Sequence, residues 1–125
     1  MKLRNLPIAY GNSCFAKTWT NKSTTFDELC VRLEQTIRTT ESTEEYPALP
    51  KTERDRIKDK GGFVGGQLRD NRRKRENVAC RSMLTLDCDH ADVGFIDRFT
   101  KDCLHAACLY TTHGHTPDAP RVRII

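Results

Sequence analysis

The 125-residue chain is about one domain long, and at 37% hydrophobic and 30% charged residues it can bury only a modest core under a heavily charged surface. Its net charge of +4 does not repel an anionic partner and says little more. No stretch approaches the ~18 apolar residues of a membrane span, and the basic start Met1-Lys2-Leu3-Arg4 is not followed by the apolar segment of a secretory signal, so a soluble, cytoplasmic protein is expected.

Residues 1–22 contain two short apolar-leaning pieces, Leu6–Tyr10 and Cys14–Trp19, which read as strand or loop. At Thr25 the pattern changes. Thr25-x-x-Glu28 is a capping box, and Phe26, Leu29, Cys30, Leu33 and Ile37 follow at helical spacing, which predicts a helix over residues 26–38. A polar connector with Pro47 and Pro50 leads to Thr52, placed to cap a charged helix running to about Lys60 and ended by Gly61-Gly62. The glycine pairs around Phe63-Val64 can let backbone amides approach phosphate, but they lack P-loop spacing and its lysine, and bland turns at strand ends are the commoner reading.

Strands are expected over Gly62–Leu68 and Asn77–Cys88, on either side of a basic turn holding Arg69, Arg72, Arg73, Lys74 and Arg75. After Asp92 a second helix is expected, with Phe95, Ile96, Phe99 and Cys103 on its apolar side. A short apolar run, Ala106–Tyr110, follows it. Strand, helix, strand over residues 78–111 is a βαβ unit or a split version of one. The last residues, Arg121-Val122-Arg123-Ile124-Ile125, alternate like a strand without a closing turn, which reads as a fragment of something longer. The cysteines Cys14, Cys30, Cys80, Cys88, Cys103 and Cys108 show no CxxC, so buried thiols are expected, not disulfides or structural zinc.

The run Ser82-Met83-Leu84-Thr85-Leu86-Asp87-Cys88-Asp89-His90 carries the central chemical signal. Alternate side chains of a strand share a face. Leu84, Leu86 and Cys88 then point one way, and Thr85, Asp87 and Asp89 the other. The two aspartates lie about 6.5–7 Å apart at their α-carbons on a rise of ~3.3 Å per residue, so both carboxylates can reach one point. Like charges there repel and resist desolvation. Mg²⁺ or Mn²⁺ relieves both costs, and nucleotidyl transfer uses such ions; the competing reading is that the acids only cap the next loop.

In Tyr110-Thr111-Thr112-His113-Gly114-His115-Thr116-Pro117 a strand runs into hydroxyls and imidazoles. Three readings stand together there: triphosphate binding, metal binding by His113-x-His115, or an ordinary polar turn. Arg121 and Arg123 fall on one face of the last strand, which suits phosphate contacts, although for this strand taken alone an exposed sheet face is the commoner reading.

Gly62-Phe63-Val64-Gly65-Gly66, the basic turn, Arg81 to Ala91 and Tyr110 to Ile125 together resemble the primase-polymerase domain of phage and integrative-element replication proteins. That group includes virulence-associated protein E-like proteins and belongs to the archaeo-eukaryotic primase superfamily. The resemblance covers roughly residues 52–125 of what is expected to be a single domain, and residues 1–50 form a leading segment outside it. It rests on the order Asp-x-Asp strand, helix, hydroxyl-x-His strand, then Pro-Arg-x-Arg.

The resemblance implies an α/β (α+β) module with an RRM-like mixed sheet and packing helices. It implies that Asp87 and Asp89 are catalytic and hold Mg²⁺ or Mn²⁺. It also implies that His113, with His115 close behind, binds nucleotide beside Thr111, Arg121 and Arg123. Single-stranded DNA template and nucleoside triphosphates are the implied substrates, and a fused or separate helicase the implied partner. Arg72, Arg73, Lys74 and Arg75 are the candidates for nucleic-acid binding. The family has a third metal-binding acid on a later strand, absent from this sequence, so the chain alone is expected to be weakly active or inactive. Two rivals stand beside this reading. One is a non-catalytic nucleic-acid-binding or replisome adaptor module, and the other a metal-dependent nuclease or hydrolase using Asp87, Asp89, His113 and His115.

Overall fold

Residues 4–125 are described by the structure, a computed structural model. The chain begins with β1 (Leu6–Gly11), β2 (Thr20–Thr24) and α1 (Phe26–Glu34), followed by the short α2 (Glu45–Ala48) and α3 (Lys51–Lys58). Then come β3 (Gly62–Val64), β4 (Gly66–Leu68), β5 (Val78–Arg81) and β6 (Leu86–Cys88), with 3-10 turns at Arg69–Asn71 and Arg75–Asn77. The last elements are α4 (Phe95–Asp102), β7 (Leu109–Thr111) and β8 (Val122–Ile124). The class is α+β, as the pattern predicts, with the strands divided among three short antiparallel sheets ordered β2-β1-β3, β4-β5 and β6-β8-β7. Two compact units result, one running through Thr39 and resuming over Pro50–Leu84, the other made of Thr40–Leu49 and Thr85–Ile125. Among the described residues no helix is long and apolar enough to cross a membrane.

In the first unit β1 is the central strand of its sheet and is buried on both faces. Ala9 packs with Trp19 and Leu68, flanked by Ala16, Val64 and Val78. Ile8, on the opposite face by strand alternation, and Leu29 of α1 are fully buried. The predicted capping box is present, with Glu28 N donating to Thr25 Oγ1 at 3.2 Å and Thr25 N to the Glu28 carboxylate at 2.9 Å. The helix stops at Glu34, short of residue 38, because Gln35 turns extended and Ile37, counted as a helical apolar position, is exposed. Thr36-Ile37-Arg38-Thr39-Thr40 is rich in β-branched residues that resist helix, and no neighbour buries Ile37 to compensate.

The strand expected over Asn77–Cys88 is broken. Ser82 donates its backbone N–H to Gly65 O (2.9 Å), the next pair of the β4–β5 register, and its hydroxyl to Pro7 O (2.6 Å); beyond it the chain leaves that ladder, and β6 pairs with β8 instead. The two halves of the run then fall in different units. Near the basic turn, the Asn21 side chain accepts from Leu68 N (2.9 Å) and donates to Leu68 O (2.8 Å), standing in for a paired strand. Asp70 and Asn71 take left-handed φ of 55° and 52° to complete the turn.

In the second unit β6 and β7 lie on either side of β8, each antiparallel to it. The expected split βαβ arrangement of β6, α4 and β7 is therefore present. Reciprocal backbone bonds between Cys108 and Ile125 lengthen the β7–β8 ladder, and Val122, Ile124 and Ile125 are buried. No disulfide joins the cysteines; Cys14 and Cys80 are exposed and the other four half-buried, which corrects the expectation of buried thiols.

Candidate functional site

Register across the sheet of the second unit settles which residues share a face. Asp87 pairs with Arg123 and Arg123 with Tyr110; one step along, Cys88 pairs with Val122 and Val122 with Thr111. Side chains alternate along each strand, so Asp87, Arg123 and Tyr110 form one polar row. Cys88, Val122 and Thr111 face the other way, with Leu86, Ile124 and Leu109. Strand β6 ends, β7 ends and β8 begins at the same end of the sheet. Asp89 follows β6 in a turn, Thr112 to His115 follow β7, and Arg121 leads into β8. Thr112 N donates to Arg121 O at 3.0 Å, carrying the ladder one residue past the strands. Three runs distant in sequence, at 87–89, 111–115 and 121–123, thus end at one place.

The best-defined contact there is Arg123 Nε donating to Asp87 Oδ1 at 2.6 Å, with side chains 39% and 54% exposed. Burial pulls the Arg123 guanidinium down, but its bonds to Asp87 and Tyr110 outweigh that and hold it above its ordinary value. Burial pushes the Tyr110 phenol up, against the opposing pull of Arg123, so Tyr110 stays protonated at neutral pH and can donate. His115 Nδ1 accepts from Arg121 N at 3.2 Å, which puts the ring proton on Nε2. The loop around it is closed by His115 N to Thr112 O (3.0 Å) and by a Thr116–Ala119 bridge. His113 is exposed and its ring lies 4.3 Å from that of Tyr46, tilted by 47°.

Asp87 and Asp89 offer hard oxygen donors. Mg²⁺ is commonly bound through one or two carboxylates with phosphate and water completing its shell, so the pair fits such an ion in chemistry and number, with Arg123 as competitor for one oxygen of Asp87. Among the described residues no three or more His, Cys, Asp or Glu side chains gather as a metal cluster. Asp87, Asp89, His113 and His115 are therefore not assembled as a transition-metal ligand set.

Comparison with known families supplies the remaining observation: the model of the VapE N-terminal domain matches residues 2–125. The chain belongs to the VapE N-terminal domain family. No curated protein and no solved structure matches it. The match spans both units, so residues 2–50, which the primase-polymerase resemblance leaves out, are part of the VapE N-terminal domain as well.

Elsewhere in this VapE N-terminal domain, Arg72, Arg73, Lys74 and Arg75 sit on the turn between β4 and β5 in the first unit, all exposed. The Arg73 guanidinium lies 5.1 Å from the centre of the Trp19 ring. Gly65 and Gly66 are buried, and a Cβ on Gly66 would collide with the Cys80 carbonyl, so this glycine pair serves close strand packing. The sequence pattern offers Thr112 among its hydroxyls but does not single out Tyr110 or say which of Thr111 and Thr112 faces Arg123. Tyr110 lies in the polar row, and Thr112 extends it beside Arg121, whereas Thr111 shares the row of buried Val122. Counting alternation outward from Asp87 finds them only once the β6-β8-β7 order is known.

Proposed function

We propose that this VapE-family chain forms the metal- and triphosphate-binding end of a primase-polymerase from a phage or mobile element, acting in the cytoplasm during DNA replication. The observation that carries the reading is the convergence of Asp87, Asp89, the Thr112–His115 loop, Arg121 and Arg123 on one end of a split βαβ sheet. Asp87 and Asp89 would hold Mg²⁺ or Mn²⁺, which when bound neutralises triphosphate charge and activates the attacking 3′-hydroxyl. Arg121 and Arg123 supply fixed positive charge for phosphate oxygens, and Arg123, already paired with Asp87, keeps that carboxylate oriented before substrate arrives. His115 Nε2–H, the Thr112 hydroxyl and the His113 ring supply further hydrogen-bond donors at the same end, with Thr111 on the sheet's other face. Template single strand runs along the Arg72–Arg75 turn, and a fused or separate helicase is the partner that would expose it.

The Asp87–Arg123 pair also favours a second reading, a nucleic-acid-binding or replisome adaptor module, because the acid already has an internal counter-ion. Titrating Mn²⁺ and a nucleoside triphosphate into wild type, Asp87→Ala/Asp89→Ala and His113→Ala separates the two. Metal-dependent binding lost without the acids and weakened without His113 is expected for the primase reading. Metal-independent or absent triphosphate binding in folded protein favours the adaptor.

A further inference from the structure

The loop between β1 and β2 carries an exposed aromatic on a pinned backbone. Phe15 is 74% exposed, yet its loop is pinned at several points. The Asp59 carboxylate accepts from the Ser13 hydroxyl and from Cys14 N (2.9 Å), Ser13 Oγ accepts from Phe15 N (3.1 Å), and Ser13 O accepts from Ala16 N (3.1 Å). The Ser13 and Cys14 hydrogen bonds hold the Asp59 carboxyl below the ordinary carboxylate range, so the pin is ionised at neutral pH.

This loop and the basic turn share one floor. Ala16, next to Phe15, packs against the cluster containing Trp19. Trp19 N donates to Asn71 O (2.7 Å), and Arg73 lies over the Trp19 ring. The turn is itself fixed by Asn21 and by left-handed Asp70 and Asn71. Arg69, Arg72, Arg73, Lys74 and Arg75 are exposed, as is Lys17, and among the described residues none of these cations is in a salt bridge. Scattered exposed apolar residues are normal on a protein surface; an exposed aromatic on a pinned loop that shares the Trp19 cluster with a cation-rich turn is a different arrangement.

We propose that the first unit binds single-stranded nucleic acid, with a base stacked on Phe15 and the backbone phosphates held by Lys17 and the Arg69–Arg75 turn. The inference rests on reading that turn as a phosphate-tracking surface and adds the residue that selects single strands. A base in a duplex has no face to offer, whereas an unpaired base stacks on an aromatic ring without regard to sequence. Preset geometry on both sides of the site lowers the ordering cost of binding.

The test is fluorescence anisotropy of the full chain with a labelled thymidine oligonucleotide across a salt series. Phe15→Ala should weaken binding by about fivefold to a hundredfold and leave the salt slope unchanged. Arg72→Gln/Lys74→Gln/Arg75→Gln should weaken binding and flatten the log–log salt slope by about 2, at ~0.7 for each phosphate no longer neutralised. A blunt duplex should bind less tightly and be indifferent to Phe15→Ala. Metal-dependent triphosphate binding should be the same in Phe15→Ala and wild type. If Phe15→Ala binds like wild type while the cation variant is weak, this inference falls and the phosphate-tracking turn survives. If neither variant changes binding, or the wild type does not bind, both fall. Equal Phe15 dependence on duplex, or displacement by polyglutamate that is itself Phe15-dependent, overturns the inference in favour of a general anion or acidic-protein surface.

Discussion

Consider a double-mutant cycle on the Asp87–Arg123 pair, with Asp87→Asn, Arg123→Met and the combination. The donor–acceptor distance is 2.6 Å, and in water-like screening unit charges that close attract by roughly 1.6 kcal/mol. Both side chains are more than a third exposed, and holding them in one geometry costs rotamer entropy, so a coupling of about 0.5–1 kcal/mol is expected. Urea unfolding of the four proteins measures it, and the thermal counterpart is a shift of a few degrees, since about 1 kcal/mol moves a chain this long by roughly 3–5 °C. Repeating the cycle with saturating Mn²⁺ and triphosphate should shrink the coupling, because Asp87 then turns to the ion and Arg123 to phosphate. A coupling above about 2 kcal/mol would mean a pair far better shielded than its exposure indicates. A coupling unchanged by bound ligand would refute the exchange of partners on which the proposed site depends.

Leu29 is fully buried and is the anchor of α1, so Leu29→Ala should cost about 2–5 kcal/mol in urea unfolding, whereas Val31→Ala, at an exposed position, should stay within ~0.5 kcal/mol. Thr25→Ala removes one half of the capping box and should cost about 1 kcal/mol by the same measurement. The Lys58 and Lys51 ammonium groups beside Asp55 hold its carboxyl at about 2, below its ordinary range. Its contribution is therefore present above that range and lost as pH falls towards the depressed value. The melting-temperature difference between wild type and Asp55→Asn should accordingly be largest near neutral pH and vanish near pH ~2. Nitrogen-15 shifts of the His115 ring should report the Nε2–H form, because Arg121 N donates to Nδ1; the opposite tautomer would mean that this bond is not made in solution.

Local chemistry decided what could be read without the fold. The capping box at Thr25 and Glu28, the apolar positions of α4 and the alternation of Asp87 with its neighbours are each set by residues within a few positions of one another, so they were legible directly. Arg121 and Arg123 opposite Val122 and Ile124 belong to the same kind, and both valine and isoleucine are buried as that alternation requires. Where a competing long-range bond enters, the local pattern loses. A run that alternates well as one strand is divided after Ser82, because its first half pairs with β4 and its second half with β8. Ile37 finds no surface to bury against, and α1 ends before it.

Site membership is of the same long-range kind. That β8 inserts between β6 and β7 depends on which edges find apolar partners after collapse, and no spacing in the chain encodes it. Only that insertion puts Tyr110 beside Arg123, Arg123 on Asp87, and Thr112 beside Arg121. Likewise the loop carrying Phe15 and the Arg72–Arg75 turn, more than fifty residues apart in sequence, meet only through Trp19, whose cluster takes Ala16 and whose ring lies under Arg73. Side-chain alternation and helix capping are near-neighbour physics, so the order of residues along the chain was enough to say which carry charge, hydroxyls and rings and which face of each short strand they take. Tertiary structure alone decided which of those faces meet, because strand order and the burial of Trp19 are won by contacts between segments far apart along the chain.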